Sequence, residues 1–549
     1  MTVSAPPFAR ATQQARAARR TYLCSAPPEL HSAVARQVPV VIVGAGPVGL
    51  AMARVLANHQ VPALILEKHH TSSNRSRAVC WSKRSLEICD RLGVADRMRA
   101  NGVVWNIGRV FAGADNTPLY SFDLLPVRDQ KFPAFINLQQ YYTEEYLVDA
   151  LATSPVVDIR WHHEVSAIEQ TPTHVLLSVH TPAGVYALAA DYVIAADGAH
   201  STLRTLLGLE FEGRLFEDNF LIADVRMQAP FPAERRFYFN APFNAGRTAL
   251  MHQQPDGIWR LDFQLGWDID RAAALREENV TAKVRAMLGP DIEFEYEWIS
   301  LYTFQCRRME RFVHERVIFV GDAAHLVSPF GARGANGGIQ DVDNLGWKLA
   351  RVIRGEAPHS LLDTYDEERG VGADENIQNS TRATDFMTPK TPAARAFQSA
   401  VLELAVDFPF ARALVNSGRL SVACSLANSS LVTPDSSDFD TPGLAPGMVA
   451  LDAPITSAAG TCWLLNLLGG DFTCLVFGSP PGAQSLLPGI RLLVAGIDFA
   501  DPTGLVATRY GGMPGTTYLI RPDQHIAARW RDFDRAAITL AYERSLAKT

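Results

Sequence analysis

The sequence predicts an α/β protein: a Rossmann-like domain interrupted by an inserted antiparallel sheet and followed by a smaller α/β domain at the C-terminus. Three observations predict it. The stretch VPVVIVGAGPVGLAMARVLANHQVPALILEK reads as strand, glycine turn, helix and strand. A β-branched run to Val43 gives way to an apolar helical period through Leu50, Val55 and Leu56, and then to a second strand over Ala63 to Leu66. Two later segments, DYVIAADGAHSTLR from Asp191 and RVIFVGDAAH from Arg316, each place a strand before a small-residue turn that carries an aspartate. Between them, residues of about 216–303 alternate apolar and polar side chains, as in RRFYFN and GIWRLDFQL, the pattern of an antiparallel sheet with two unlike faces.

At 549 residues the chain exceeds one ordinary core, and 47% hydrophobic residues suffice to fill two or three. Residues 1–37, with five arginines, no lysine and the single acid Glu29, read as a flexible N-terminal extension with a mild likeness to a transit peptide. Residues 38–215 and 304–430 form the two parts of the first domain, the second part closing with a helical region, and 216–303 form the inserted sheet. After Gly337 an amphipathic helix is expected, with Ile339, Val342, Leu345, Leu349 and Val352 on one side and Gly355 with Pro358 ending it. The linker SSLVTPDSSDFDTPGLAPG then leads into the last domain, 431–549.

Composition excludes several classes. A net charge of -7 without any Lys/Arg block argues against a nucleic-acid partner. No apolar run approaches the roughly 20 residues of a spanning helix, so no membrane partner is expected. The seven cysteines are odd in number, scattered and never spaced as CxxC, which fits a reducing, cytoplasmic setting and gives neither a disulfide framework nor a metal site.

The glycine turn carries the first chemistry. Gly44, Gly46 and Gly49, with Pro47 and Val48 between them, form GxGxxG between a strand and a helix, and Glu67 followed by Lys68 ends the next strand. Gly44 permits the tight turn, Gly46 lets a pyrophosphate reach the backbone, and Gly49 lets helix and strand pack. The helix N-terminus offers donors to the anion, and Glu67 accepts from a ribose hydroxyl. NAD and FAD satisfy this cradle equally. Asp322, beside Gly321 at the end of a later strand, points at the same crevice or caps a helix.

With these motifs in order, the sequence resembles the flavoprotein aromatic hydroxylases, the single-component FAD monooxygenases typified by p-hydroxybenzoate hydroxylase, over roughly residues 38–400. GAGPVG with Glu67 matches the family's ADP-binding fingerprint, DGAHSTLR its DG motif, and GDAAHLVSPFGARGAN its GD motif and flavin turn. The resemblance implies bound FAD, reduction by NADPH or NADH, and hydroxylation of a small phenolic or related aromatic substrate by O2 through a flavin C4a-hydroperoxide. It implies that Asp322 holds the ribityl chain, that Asp197, Gly198 and Arg204 serve the pyrophosphate and the nicotinamide nucleotide, and that Arg77 and Gln140 contact FAD. Gln139 replaces Gln140 if the register shifts by one. The branch it is most similar to, the 3-(3-hydroxyphenyl)propionate and pentachlorophenol hydroxylases, implies a thioredoxin-like C-terminal domain. Here that domain lacks CxxC, because Cys462 and Cys474 stand apart, and its role becomes packing or homodimer contact.

In that family the turn PFGARGAN lies against the isoalloxazine, which accounts for Pro329, Gly331, Gly334, Ala335 and Asn336 as cofactor-binding residues. Arg333 is the odd member. A cation about 6 Å from an anion contributes about 3 kcal/mol at an effective dielectric of 20, enough to favour a reduced anionic flavin or a phenolate. The alternative is a surface arginine paired with Asp341 or Asp343. Substrate contacts are expected on the inserted sheet. Arg260, Asp262 and Gln264 share one face of IWRLDFQL and Trp259, Leu261 and Phe263 the other, and alternation leaves open which face meets the flavin. Arg260 and Gln264, with Arg333 and Pro329, are the catalytic candidates; His252 and Tyr238 are weaker ones, and His325 is structural or flavin-adjacent. Three other readings stay open: an oxygenase performing Baeyer–Villiger insertion, epoxidation or polyketide-ring hydroxylation, a flavin-binding protein without turnover, and a plain NAD-dependent dehydrogenase.

Overall fold

The computed structural model of the chain describes residues 20–32, 34–72, 78–113, 117–124, 127–329, 331–415, 422–436, 443–478 and 488–548. Its first sheet follows from the aliphatic runs, which leave both strand faces apolar and so demand cover on both sides. The strand order is Val313–His314, Val317–Phe319, Gly184–Ala195, Arg36–Val43, Ala63–Glu67 and Val157–Trp161. From Val317–Phe319 to Val157–Trp161 the neighbours are parallel. The helices Pro47–Asn58 and Gly334–Ile353 share the core of this sheet through Leu50, Met52, Leu56, Val342 and Leu345. They approach at Gly346, where an added Cβ would lie 2.2 Å from Val55 Cγ1.

From Arg20 onward the expected extension is not loose. Tyr22 stacks on Trp161 with ring centroids 3.9 Å apart, and the buried Glu29 pairs with Arg160 at 3.0 Å. Two isolated anchors in a polar stretch leave no periodic signal, and the first strand begins at Arg36, two residues before the expected boundary.

The second sheet runs His325–Leu326, Phe294–Arg308, Glu212–Met227, Ile258–Gly266, Arg247–Gln253, Arg235–Ala241, Ile107–Ala112 and Tyr120–Asp123. It therefore extends beyond 216–303 on both sides. Its last two strands come from the segment expected in the first domain, joined by a parallel pairing of Arg235–Ala241 with Ile107–Ala112 that local alternation cannot reveal. Register resolves the two faces. Trp259, Leu261 and Phe263 pack under the helix Glu277–Leu288. The opposite face, with Arg260, Asp262 and Gln264, turns toward the first domain, where Phe220, Phe237, Phe239 and Leu250 meet Phe386 and Met387 of the helix Asp363–Met387.

The last unit holds a mixed sheet ordered Gly460–Trp463, Pro454–Ser457, Phe499–Ala500, Ile490–Ala495, Phe472–Phe477, Thr517–Ile520 and Ile526–Trp530. All seven cysteines are free thiols. This unit docks through buried charge rather than oil alone. Arg521 reaches Glu368 at 2.9 Å and Asp523 at 3.1 Å, and Lys348 donates to the same Glu368 at 2.6 Å. Arg84 of the first domain holds Asp343 of the same domain at 3.0 Å and crosses to Gln524 of the last unit at 2.8 Å. A buried charge stripped of its partner is costly, so Arg521→Met should lower stability by about 3–5 kcal/mol in thermal or denaturant unfolding. The exposed Arg491→Met serves as the control and should shift it by less than about 0.5 kcal/mol.

Candidate active site

Four motifs converge at the carboxyl ends of neighbouring parallel strands, where an open α/β sheet opens its ligand crevice. Gly44 follows Arg36–Val43, Glu67 ends Ala63–Glu67, Asp197 follows Gly184–Ala195, and Gly321 follows Val317–Phe319. Gly44 has φ +109, and a Cβ there would stand 2.5 Å from the Ala196 carbonyl oxygen, so the turn can lie against the adjacent strand only without a side chain. Gly46 meets nothing within 4 Å, which marks the open side of the turn. Val48 sets the depth of the crevice: a Cβ on Gly338 would fall 2.6 Å from Val48 Cγ2 and 3.1 Å from Gly321 Cα.

Two helix N-termini face this region. Gly46 precedes Pro47–Asn58 and Arg333 precedes Gly334–Ile353, and neither helix has a side-chain cap. Their first-turn amides are therefore available to an anion or polar ligand, and Pro47 removes no needed donor. Asp322 lies in the turn Gly321–Ala323 with Oδ1 3.9 Å from the Cβ position of Gly334, in front of the second helix.

The carboxylates around the crevice are held by backbone. Glu67 accepts from the Ala45 and His69 amides, each at 2.8 Å, which fastens the strand end carrying Lys68 to the glycine turn. Asp197 accepts from the Leu203 amide at 3.0 Å, while its Oδ1 is buried without a partner among the described residues. Burial pushes its carboxyl above the ordinary range against several hydrogen bonds. Beside Gly198, Arg204 donates to the Ala323 carbonyl at 3.0 Å and to the Ala199 carbonyl at 2.8 Å, and lies 3.8 Å over Phe211, linking the DG and GD turns.

Gln140 accepts from the Ala78 amide at 3.1 Å and donates to Glu144 at 2.7 Å. Gln139 is buried, donates to the Pro255 carbonyl at 3.4 Å and keeps an unpartnered Oε1. Arg77 lies outside the described residues. In the glycine turn, the Ala332 amide donates to the Pro329 carbonyl at 3.0 Å, and Gly331 takes φ +104. Beyond Ala335, Asn336 accepts from the Ser82 amide and donates to the Cys80 carbonyl, both at 2.9 Å.

Arg333 is 4% exposed, folds back over Gly331 and donates to Asn376 at 3.1 Å. The surface pairing with Asp341 or Asp343 does not occur. Asp341 is taken by His325 and Arg369, both at 2.7 Å, and by the Gly321 amide at 3.0 Å; Asp343 is taken by Arg84 and Arg91. His325 is thereby structural.

On the sheet, the two expected catalytic groups are engaged within the sheet itself. Arg260 grips Asp224 through two bonds of 2.8 Å, and Gln264 accepts from the Thr248 amide at 3.1 Å and donates to Asp218 at 3.2 Å. Tyr238 belongs to the opposite face, against Phe243. Register brings in residues that no motif marks. His252 stands directly across from Arg260, and Arg235 Nη1 lies 3.7 Å from Cys80 Sγ. Both His252 ring nitrogens, Arg235 Nε and Gln254 Oε1 are buried without partners among the described residues. Strand pairing, which a single sequence does not disclose, was the missing signal.

A recess of about 460 Å³ lined by Gln170, Leu207, Arg311, His314 and Asp363 lies at the amino end of Val317–Phe319, opposite the GD turn. Ligands of open α/β sheets bind at the other end.

Bare glycines, two uncapped helix ends and an orphaned oxygen on Asp197 suit a dinucleotide whose pyrophosphate and ribose need donors and acceptors at these points. The fold and crevice thus define a dinucleotide-binding protein. The FAD-binding domain family matches residues 37–380, and the chain belongs to it as an FAD-dependent aromatic monooxygenase reduced by a nicotinamide nucleotide. It is 32% identical over 379 residues to the 12-dehydrotetracycline 5-monooxygenase/anhydrotetracycline 6-monooxygenase of Streptomyces rimosus subsp. rimosus, covering 66% of this chain and 73% of that one. It is 29% identical over 527 residues to the 6-methylpretetramide 4-monooxygenase of Streptomyces rimosus, covering 89% and 90%. The flavin-dependent monooxygenase PieE, solved with FAD and substrate, superposes with a TM-score of 0.78 at 24% identity over 93% of this chain and 99% of that one.

The cradle gives a direct expectation. Gly44→Ala should be purified largely without visible flavin absorbance, because the added methyl displaces the turn from Ala196. Gly370→Ala, a helical site with nothing within 4 Å, should keep the wild-type flavin content.

Proposed function

We propose that the chain hydroxylates a phenolic ring of a multi-ring aromatic compound, with O2 as co-substrate. The observation that carries this reading is the likeness to an enzyme named for 6-methylpretetramide, which covers 89% of this chain and so reaches into the C-terminal unit. The inserted sheet supports it: an aromatic wall of Phe220, Phe237, Phe239 and Phe386 ends at the polar group of Arg235, His252 and Asp262. Apolar walls with a few convergent polar groups suit an aromatic ring that must be oriented by its substituents.

Bound FAD supplies the oxygen-transfer chemistry, and the residues of the chain bind, orient and shield. Gly44, Gly46 and the amides after Gly46 would hold the pyrophosphate, Glu67 the adenosine ribose, and Asp322 with the amides after Arg333 the flavin end. Asp197 and Arg204, joined across the DG and GD turns, would order the crevice for the nicotinamide nucleotide. Arg333, buried and held by Asn376, places a fixed cation in the glycine turn, where it would stabilise negative charge on the reduced cofactor or the substrate.

Two measurements check this. A panel containing anhydrotetracycline and single-ring phenols should give at least about tenfold stimulation of NAD(P)H oxidation by a multi-ring phenol, with product gaining one oxygen on the ring. A lactone product would replace hydroxylation by Baeyer–Villiger insertion. In Arg333→Gln the two-electron midpoint potential of the bound flavin should fall by roughly 30–60 mV, equivalent to about 1.4–2.8 kcal/mol. An unchanged potential removes Arg333 from this role.

A further inference from the structure

The polar face of the inserted sheet contains a carboxylate that its surroundings do not satisfy. Asp262 makes no hydrogen bond and no ion pair among the described residues, although it stands within a strand whose neighbours on the same face, Arg260 and Gln264, are fully engaged. Its direct cross-strand neighbours are Ile222 and Leu250, two aliphatic side chains that offer it nothing polar. It is part-exposed where Arg260, Gln264 and His252 are buried, so its carboxylate borders open space on this face.

The charged and titratable groups around it come from every packed element. Arg260 is on its own strand, Asp224 lies across from Arg260 on Glu212–Met227, His252 comes from Arg247–Gln253, Arg235 from Arg235–Ala241, and Cys80 from Cys80–Ser82. Arg260 is neutralised by Asp224, whereas Arg235 keeps Nε unpartnered and touches Cys80 Sγ at 3.7 Å. The Cys80 carbonyl in turn accepts from Asn336 at the start of the glycine-turn helix, so this cluster adjoins the flavin turn.

We propose that Asp262 is the base that accepts the phenolic proton of the substrate, with Arg235 placed to hold the phenolate. This rests on the phenol-hydroxylase reading above. In the step, the substrate O–H bond breaks, the proton passes to the Asp262 carboxylate, and the electron pair stays on the phenolate oxygen, enriching the ring that is to be oxygenated. The neighbours leave Asp262 the role. His252 is pushed well below its ordinary value by burial and by Arg235 and Arg260, so it is a weak proton acceptor. Burial raises the Asp262 carboxyl to about 6 against the opposing pull of Arg260 and Arg235, leaving it ionised at neutral pH yet more basic than a solvent-exposed carboxylate.

The proton balance tests this on the FAD-loaded protein near neutral pH. 3-Nitrophenol and 2-naphthol, phenols that stay protonated in neutral solution and whose phenolates absorb at longer wavelength, are titrated calorimetrically in buffers of different ionisation enthalpy while the bound spectrum is recorded. Wild type should bind a probe as the phenolate with almost no proton released, because the proton remains on Asp262. Asp262→Asn should bind it either as the neutral phenol or as the phenolate with about one proton released per site. Asp262→Glu should restore the internal transfer, and the flavin spectrum of each variant reports that the site is intact. Wild type binding the neutral phenol, releasing a full proton, or matching Asp262→Asn in spectrum and stoichiometry would overturn the role of Asp262 alone. If neither these probes nor anhydrotetracycline binds or stimulates NAD(P)H oxidation, the phenol reading itself falls and the proposal with it.

Discussion

The crevice depends on one buried carboxylate. Asp341 receives the Gly321 amide, His325 and Arg369, so a single side chain ties the GD turn, the strand after it and the helix Asp363–Met387 to the helix Gly334–Ile353. Burial alone would raise this carboxyl; His325 and Arg369 overcome that and hold it well below the usual range. The sign of its effect on stability follows. A depressed folded value stabilises the native state at pH above the unfolded carboxyl value, and the contribution disappears as pH falls toward the folded one. This knot lies on the same helix as Gly338, which packs against Val48 and Gly321, and so adds directional bonds to the apolar packing that sets the crevice.

The same helix carries the C-terminal unit. One to two turns beyond Asp341, Asn344, Trp347 and Lys348 reach Glu368 and Asp523, and Arg521 completes a buried ionic cluster with them. Such a cluster gives little net stability over an apolar seam, yet it tolerates few alternative arrangements. It fixes where the last unit sits against the helix whose other end forms the flavin turn. The lack of CxxC agrees with a structural part in this arrangement, since Cys474 is buried and its thiol is pushed up to about 12 by burial.

Much of this was legible in the sequence, for a physical reason. The turns at Gly44, Asp197 and Gly321 had to keep small residues and acids at strand ends, so local pattern and final position coincide. The sheet faces were legible only as a pair: alternation separated Asp262 from Trp259, but the helix Glu277–Leu288 decided which side was covered. Arg235, Cys80 and the strands Ile107–Ala112 and Tyr120–Asp123 were out of reach, because their partners are distant in the chain. Arg260 and Gln264 carry side chains able to orient a substrate, but their bonds to Asp224 and Asp218 lie outside what a strand's own residues reveal. Tyr22 and Glu29 escaped in the same way.

The helix Asp363–Met387 joins three of these regions. Its Arg369 meets Asp341, its Asn376 meets Arg333, and its Met387 carbonyl accepts from Thr248 of the inserted sheet at 2.7 Å. At 1.5 Å per residue, 25 residues make a rod of about 37 Å that leans on both domains. The inserted sheet is consequently not a cassette that evolution or an engineer can exchange at its own borders. A graft that imports a relative's sheet must bring this rod, or at least its terminal turns, or the new floor will sit at the wrong height above the cofactor.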